Sequence, residues 1–229
     1  MNVICVFLIA LVLITGYYTV TNSKNSAPNF NPNNMEKPPT SNGLSTNNLI
    51  ILGICTFVLI TSLSIIVDSS SSVYKTAPMF FITNTKSTIN LENTTLTYGS
   101  NILLSIKGTN EWGNSGSNGG NLELNAINQK LSGDITLDSL SSVDINLKSS
   151  TLTSTVNNNK KAKEVNISID KNSKWNVEGN SYINTLKLTN NDLNLIKDNG
   201  HNVYYDKEAN EWLDGKTYTL QDGGKLIPR

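Results

Sequence analysis

The sequence predicts an all-β chain: a right-handed parallel β-helix of about six to seven coils, preceded by one or two transmembrane helices, with a β-sandwich as the alternative. Three observations carry this. Apolar residues alternate with polar ones in short β-branched runs. These runs return at a nearly constant interval. The composition is rich in amides and hydroxyls and poor in charge: of 229 residues, 35 are Asn and 83 are Asn, Ser or Thr, while 16% are charged. Average domains carry more charge and fewer amides.

The N-terminal part holds the two apolar blocks. Residues 3–14 are unbroken apolar, from Val3 through Phe7 and Leu11 to Ile14. The length suits a signal core, but Met1-Asn2 supplies no basic start and no small-x-small cleavage site is evident, so residues 1–21 read as an anchor or a signal. Residues 22–48 carry Pro28, Pro32, Pro38 and Pro39 among many Asn and almost nothing apolar. Such a segment cannot offset the entropy of folding and reads as a disordered linker. Residues 49–67 contain no charge and end at Asp68. As a helix they would span roughly 28 Å, close to the hydrocarbon thickness of a bilayer. Their β-branched content also fits a run of buried strands, but strand-length priors favour a transmembrane helix. Lys24 and Lys37 in the linker place it on the cytoplasmic side, which puts the C-terminal part outside the cell; a cleaved signal followed by a single-pass anchor would put the linker outside as well. Cys5 and Cys55 lie in the apolar blocks, so no disulfide scaffold or thiolate zinc cluster is expected.

After a short linker, 68–78, residues 79–229 read as the β-helix domain with a C-terminal cap. Alternation is clear in Thr88-Ile89-Asn90-Leu91, Asn121-Leu122-Glu123-Leu124, Asp144-Ile145-Asn146-Leu147 and Val165-Asn166-Ile167-Ser168-Ile169. Leu122, Ile145 and Ile167 form one series, Leu131, Leu152 and Trp175 a second, and Ile135, Val156 and Val177 a third. Their spacings of about 21 to 23 residues fall in the solenoid range. Stacked coils lie about 4.8 Å apart, so Asn suits the corners and the ladders, and stacked like charges are disfavoured.

Several segments together resemble a known family: residues 79–94, from Met79-Phe80-Phe81; the Gly-rich stretch Trp112-Gly113-Asn114-Ser115-Gly116; Asn128-Gln129-Lys130-Leu131-Ser132-Gly133; Ser173-Lys174-Trp175; and Asn199-Gly200-His201-Asn202-Val203. They resemble the C-terminal part of bacterial, clostridial-type, adhesin-like or carbohydrate-binding right-handed β-helix surface proteins. The resemblance covers residues 79–205. It implies an extracellular β-helix that binds a polysaccharide or cell-surface glycan, and it brings no catalytic residue. Members of that group carry more coils where this chain has an apolar segment, which suggests a short membrane-anchored relative or a truncated reading frame.

The candidate chemistry is sparse. Eighteen basic and eighteen acidic groups give no net charge, and Arg229 is the one Arg. No basic stripe for nucleic acid is legible. His201 sits in a turn context with no nucleophile elbow or second ligand near it, so neither a triad nor a His-based metal site is expected. Asp134 and Asp138, four apart with Asp144 nearby, could hold Ca²⁺ with backbone carbonyls, though no dense Asp-x-Asp-x-Asp-Gly run supports it and solvated positions are preferred. Without a cluster of Lys and acids, a polysaccharide lyase or hydrolase is the disfavoured alternative. Aromatic rings are the best candidates for stacking on sugars, with Trp112, Asn114, Tyr182 and Tyr204 chosen as the carbohydrate site. Trp175 reads as core, and Trp212 and Tyr218 as part of a cap on the last coil. The Gly-rich loop 113–120 is no phosphate cradle, because no Lys-Ser/Thr follows it.

Overall fold

A strand that alternates apolar and polar residues needs a partner for one face only. Three such strands per turn, stacked in register, bury all of those faces in a single column. The computed structural model describes residues 56–61 and 64–229, and they are arranged in this way. The first turn holds β1 (Thr56–Thr61), β2 (Ser64–Ile66) and β3 (Phe80–Ile82). The second holds β4 (Lys86–Glu92), β5 (Thr95–Thr97) and β6 (Ile102–Ile106), and the third β7 (Asn121–Ile127), β8 (Lys130–Ser132) and β9 (Asp134–Leu137). The fourth has β10 (Ser142–Lys148) and β11 (Thr151–Ser154), with Val156 bridging to Ile135 in place of a third strand. Then come β12 (Glu164–Ile169), β13 (Lys174–Val177) and β14 (Ser181–Tyr182), followed by β15 (Thr185–Leu188), β16 (Ile196–Lys197) and β17 (Val203–Tyr205). The chain closes with β18 (Tyr218–Thr219) and β19 (Lys225–Pro228).

The first wall is the sheet β1-β4-β7-β10-β12-β15. The second is β2-β5 and, apart from it, β8-β11-β13-β16. The third runs from β3-β6-β9 through Val156 to β14-β17-β19, which makes seven levels. Every pairing is parallel except β18 with β19. The molecule is therefore an all-β solenoid of about seven turns, and the parallel pairing excludes the sandwich.

The columns correct two of the expected series. Leu131, Leu152 and Trp175 do stack, followed by Ile196. Leu122, however, pairs with Val143, and it is Leu124 that stacks on Ile145 and Ile167. Ile135 bridges to Val156, but Val177 lies on the second wall beside Ser154; across from Val156 the third wall continues at Tyr182. A two-residue slip keeps every side chain on its face, so alternation cannot detect it.

The membrane helix expected over residues 49–67 is a larger correction. In its described part the chain forms β1 and β2, paired in register with β4 and β5: Val58 lies opposite Ile89 and Ile65 opposite Leu96. Among the described residues no helix is long and apolar enough to cross a membrane. Two apolar strands in tandem, six and three residues long, imitate the hydropathy of one membrane span, although Ile66 at the end of the second is 65% exposed. Residues 68–78, the short linker of the sequence, form a series of hydrogen-bonded turns between β2 and β3, with Tyr74 N donating to Ser71 O at 3.0 Å and Ala77 N to Val73 O at 2.8 Å. The solenoid thus starts before residue 79. The apolar segment 1–21, the linker 22–48 and residues 49–55 of the second block lie outside the described residues.

The polar excess has three structural uses. Seven of the ten non-glycine residues with positive φ are Asn, among them Asn84, Asn93, Asn128 and Asn157 at corners, where Asn tolerates left-handed geometry. On the outside of the first wall, Asn146 Nδ2 donates to Asn125 Oδ1 and Asn125 Nδ2 to Asn90 Oδ1, each at 2.9 Å, forming a ladder up three coils. At the buried corner between the first and second walls, Ser150 Oγ accepts from Gln129 N (3.0 Å) and Ser173 Oγ from Ser150 N (2.9 Å). Each hydroxyl satisfies a backbone group that the turn takes out of its ladder.

The last strand of the first wall ends on side chains. Asn210 Oδ1 accepts from Leu186 N at 2.7 Å, Asn210 Nδ2 donates to Asn184 O at 2.6 Å, and Trp212 Nε1 donates to Leu186 O at 3.1 Å. Both backbone groups of Leu186 are thereby paired as a further strand would pair them. Trp212 and Tyr218 are partly buried against the core, Tyr218 on β18 beside β19.

Candidate functional site

Register decides which polar residues share a face. The first wall contains Glu92, Glu123, Asp144 and Glu164 alongside Lys86, Lys148 and Lys187. The second wall contains no acidic residue; its charges are Lys130, Lys174 and Lys197, all exposed. The third wall carries Phe80, Phe81, Tyr182, Tyr204 and Tyr205. The zero net charge of the chain hides this segregation.

The second wall is also split. The first and third walls pair across the second and third turns, β4 with β7 and β6 with β9, but β5 and β8 do not pair. Side chains prop the gap at both ends. With the orientation of its amide assigned from its neighbours, the buried Gln129 donates to Thr94 O (2.7 Å) and accepts from Asn93 N (2.7 Å) and Thr94 N (2.6 Å). At the other end the Tyr98 hydroxyl donates to Ser132 O. Gly133, at φ 114°, makes that approach possible: a Cβ there would lie 2.9 Å from Leu103 N and 3.1 Å from the Tyr98 hydroxyl. Between the props opens a cleft of about 290 Å³, lined by Leu96, Thr97, Tyr98, Asn101, Lys130 and Ser132. Burial pushes the Tyr98 phenol up to about 12, so it remains a neutral donor at any ordinary pH. Asn101 Nδ2 donates to Asp134 Oδ2 at 3.3 Å, while the Lys130 ammonium has no ion pair among the described residues. The cleft thus combines an aromatic ring and an aliphatic side chain with hydroxyls, an amide and one cation, on a rigid wall.

The residues expected from sequence lie elsewhere. Trp112 is 9% exposed, and its indole nitrogen is buried without a partner. Its carbonyl instead accepts from Asn118 Nδ2 at 2.6 Å, within the excursion 107–120. Asn114 is exposed in the same excursion, where its carbonyl accepts from Ser117 N at 3.0 Å. Tyr182 and Tyr204 do come together, stacked at 4.5 Å with planes 6° apart. Lys160 sits 4.5 Å from the Tyr182 ring, however, and Tyr182 is only 8% exposed, so neither of its faces is free for a sugar. Trp175 is fully buried and donates to Ser154 O at 3.2 Å, as a core residue.

The two aspartates considered for Ca²⁺ act as turn acceptors. Asp134 accepts from Thr155 N (3.3 Å) and Asn101; Asp138 accepts from Gly108 N (2.8 Å), Leu140 N (3.1 Å) and Ser141 Oγ (2.6 Å). Among the described residues no three His, Cys, Asp or Glu side chains gather as a metal site. His201 lies in a turn, its N–H donating to Asp198 O at 2.8 Å. Asp198 beside it is fully buried. Desolvation works against its charge, but N–H groups of Asp222, Gly224 and Gly200 outweigh it and hold the carboxyl below its ordinary value.

Comparison with protein-family models, with curated proteins and with solved structures finds no match for this chain. The resemblance to surface β-helix proteins therefore rests on the motifs quoted above.

Sequence reasoning missed Tyr98, Lys130, Asn101 and Ser132. One signal was present: in the corner column Thr94, Gln129, Ser150, Ser173, Gln129 alone is too long for the step between coils. That signal becomes readable only once the register is known.

Proposed function

We propose that this chain is a non-catalytic, adhesin-like β-solenoid that binds carbohydrate at the cell surface. The observation that carries the reading is the cleft of the second wall, where Tyr98 and Leu96 offer apolar surface to a sugar ring and Thr97, Asn101 and Ser132 offer hydrogen-bonding groups. A scaffold of this kind holds such groups without a folding cost on binding. The parallel crossovers favour a right-handed winding. Residues 3–14, read as a signal or a single membrane anchor, leave everything C-terminal to them on one side of the membrane, and the cell-surface reading takes that side to be the outside.

The test is retention of the full chain on a glycan array, with Thr97→Trp as the blocking variant. Thr97 is exposed at the cleft, so a bulky ring there fills the cleft and leaves the core alone. Wild-type retention on a defined glycan, lost in Thr97→Trp, is the expected result. No retention of the wild type, or retention unchanged in the variant, overturns the proposal.

A further inference from the structure

The cleft is one end of a longer feature. Lys130 at its rim stands in register with Thr151 and Lys174, and one row across, Ser132 stands in register with Thr153, Asn176 and then Lys197. Successive coils are about 4.8 Å apart, so Lys130 and Lys174 are separated by about 9.6 Å along the solenoid axis. The carboxylates that flank this wall are hydrogen-bonded or buried. Asp134, beside the cleft, accepts from Asn101 Nδ2 and Thr155 N at 3.3 Å each, Asp170 accepts from Ser173 Oγ at 2.5 Å and Ser149 N at 3.1 Å, Glu178 accepts from Asn199 Nδ2 at 3.3 Å, and Asp198 is buried. No described acid neutralises Lys130, Lys174 or Lys197 through an ion pair.

We infer that the second wall binds a linear anionic polysaccharide, running along the solenoid axis with one end in the Tyr98 cleft. An extended polysaccharide advances by about one sugar per coil step. The lysine spacing then suits an acid group on alternate sugars. The Thr and Asn rows between the lysines meet the intervening hydroxyls. A nucleic acid fits less well: the face has three ammonium groups, no guanidinium and no exposed aromatic row for stacking bases. This inference rests on the carbohydrate reading above and adds the charge and direction of the ligand.

The experiment measures binding of the full chain to a hyaluronan octasaccharide, which carries a carboxylate on every second sugar. The carboxyl-reduced octasaccharide, a neutral xylan oligosaccharide and a single-stranded DNA of equal charge are the comparisons. Hyaluronan should bind, the reduced form should bind at least tenfold more weakly, and binding should weaken as NaCl rises past about 0.1 M, where the screening length is about 10 Å. Lys130→Gln/Lys174→Gln removes two exposed charges whose pairs are each worth up to about a factor of five, so about tenfold weaker binding is expected, with an unchanged circular dichroism spectrum. Equal binding of neutral and acidic glycans, or no effect of the double variant, overturns the inference and leaves the carbohydrate reading in place. No binding to any glycan overturns both. Tighter binding of DNA than of hyaluronan overturns the inference in favour of a nucleic-acid face.

Discussion

Asn210, together with Trp212, ends the first wall of the solenoid, and its removal is a sharp test of how the last strand of that wall is held. Asn210 is 1% exposed and makes three hydrogen bonds: from Leu186 N at 2.7 Å, to Asn184 O at 2.6 Å and to Asp206 O at 2.6 Å. In Asn210→Ala these bonds vanish and Leu186 N is left buried without an acceptor. At about 1 kcal/mol per neutral bond, plus about 1 to 3 kcal/mol for the orphaned donor, the loss is about 4 to 6 kcal/mol. Asn210→Asp separates the contributions, because it can still accept from Leu186 N but sets a carboxylate against two carbonyl oxygens; it should be no more stable than the alanine variant. The assay is urea denaturation followed by far-ultraviolet circular dichroism, with hydrogen exchange at Leu186 as the local readout. Exposure of the β15 edge should also promote strand addition between molecules, seen as a concentration-dependent increase in mass by light scattering. A loss below about 1 kcal/mol, with Leu186 still protected, would refute the view that side chains terminate the first wall.

Further tests follow from other parts of the molecule. Asp198→Asn should destabilise the C-terminal turns at neutral pH by about 2 to 4 kcal/mol, since it places an amide against N–H donors that a charged acceptor satisfied. Because the folded carboxyl lies below its ordinary value, its contribution is present above the unfolded value near 3.9 and fades as pH falls through the folded one, so the two proteins should converge in stability in acid. Tyr98 gives the opposite sign at high pH. The folded phenol holds its proton to about 12 while the unfolded one ionises near 10, so stability should fall from about pH 10 upward, and Tyr98→Phe should lessen that fall. Asn125→Ala removes both steps of the amide ladder and should cost about 1 to 2 kcal/mol in thermal or urea unfolding. Gly133→Ala should both strain the left-handed backbone and press on Leu103 N, losing about 1 to 3 kcal/mol and opening the Tyr98–Ser132 contact, detectable as a lowered Tyr98 titration midpoint.

The sequence by itself determined the local rules of this protein. Alternation in segments such as Asn121–Ile127 and Ser142–Lys148 identified strands with one buried face, and the return of those segments identified a solenoid. The Asn excess predicted left-handed corners and ladders, because Asn is the residue that tolerates the one and can form the other. What depends on register was invisible. Leu122 was matched to Ile145 rather than Val143, since a slip of two preserves every facing. The apolar run 49–67 read as a membrane span because hydropathy records apolar length and not backbone pairing; only pairing with β4 and β5 distinguishes strands from a helix in lipid. Trp112 and Tyr182 read as rings for a sugar, but Trp112 is buried within its own excursion and Tyr182 is covered by Tyr204 and Lys160, residues 22 positions away along the chain. The cleft and the lysine face arise from which coil lies above which, so Tyr98, Lys130, Lys174 and Lys197 become neighbours of one surface only through stacking. A one-dimensional pattern encodes the repeat; the surface chemistry of a solenoid is set by the relative phase of its turns, and that phase is chosen by packing in the core.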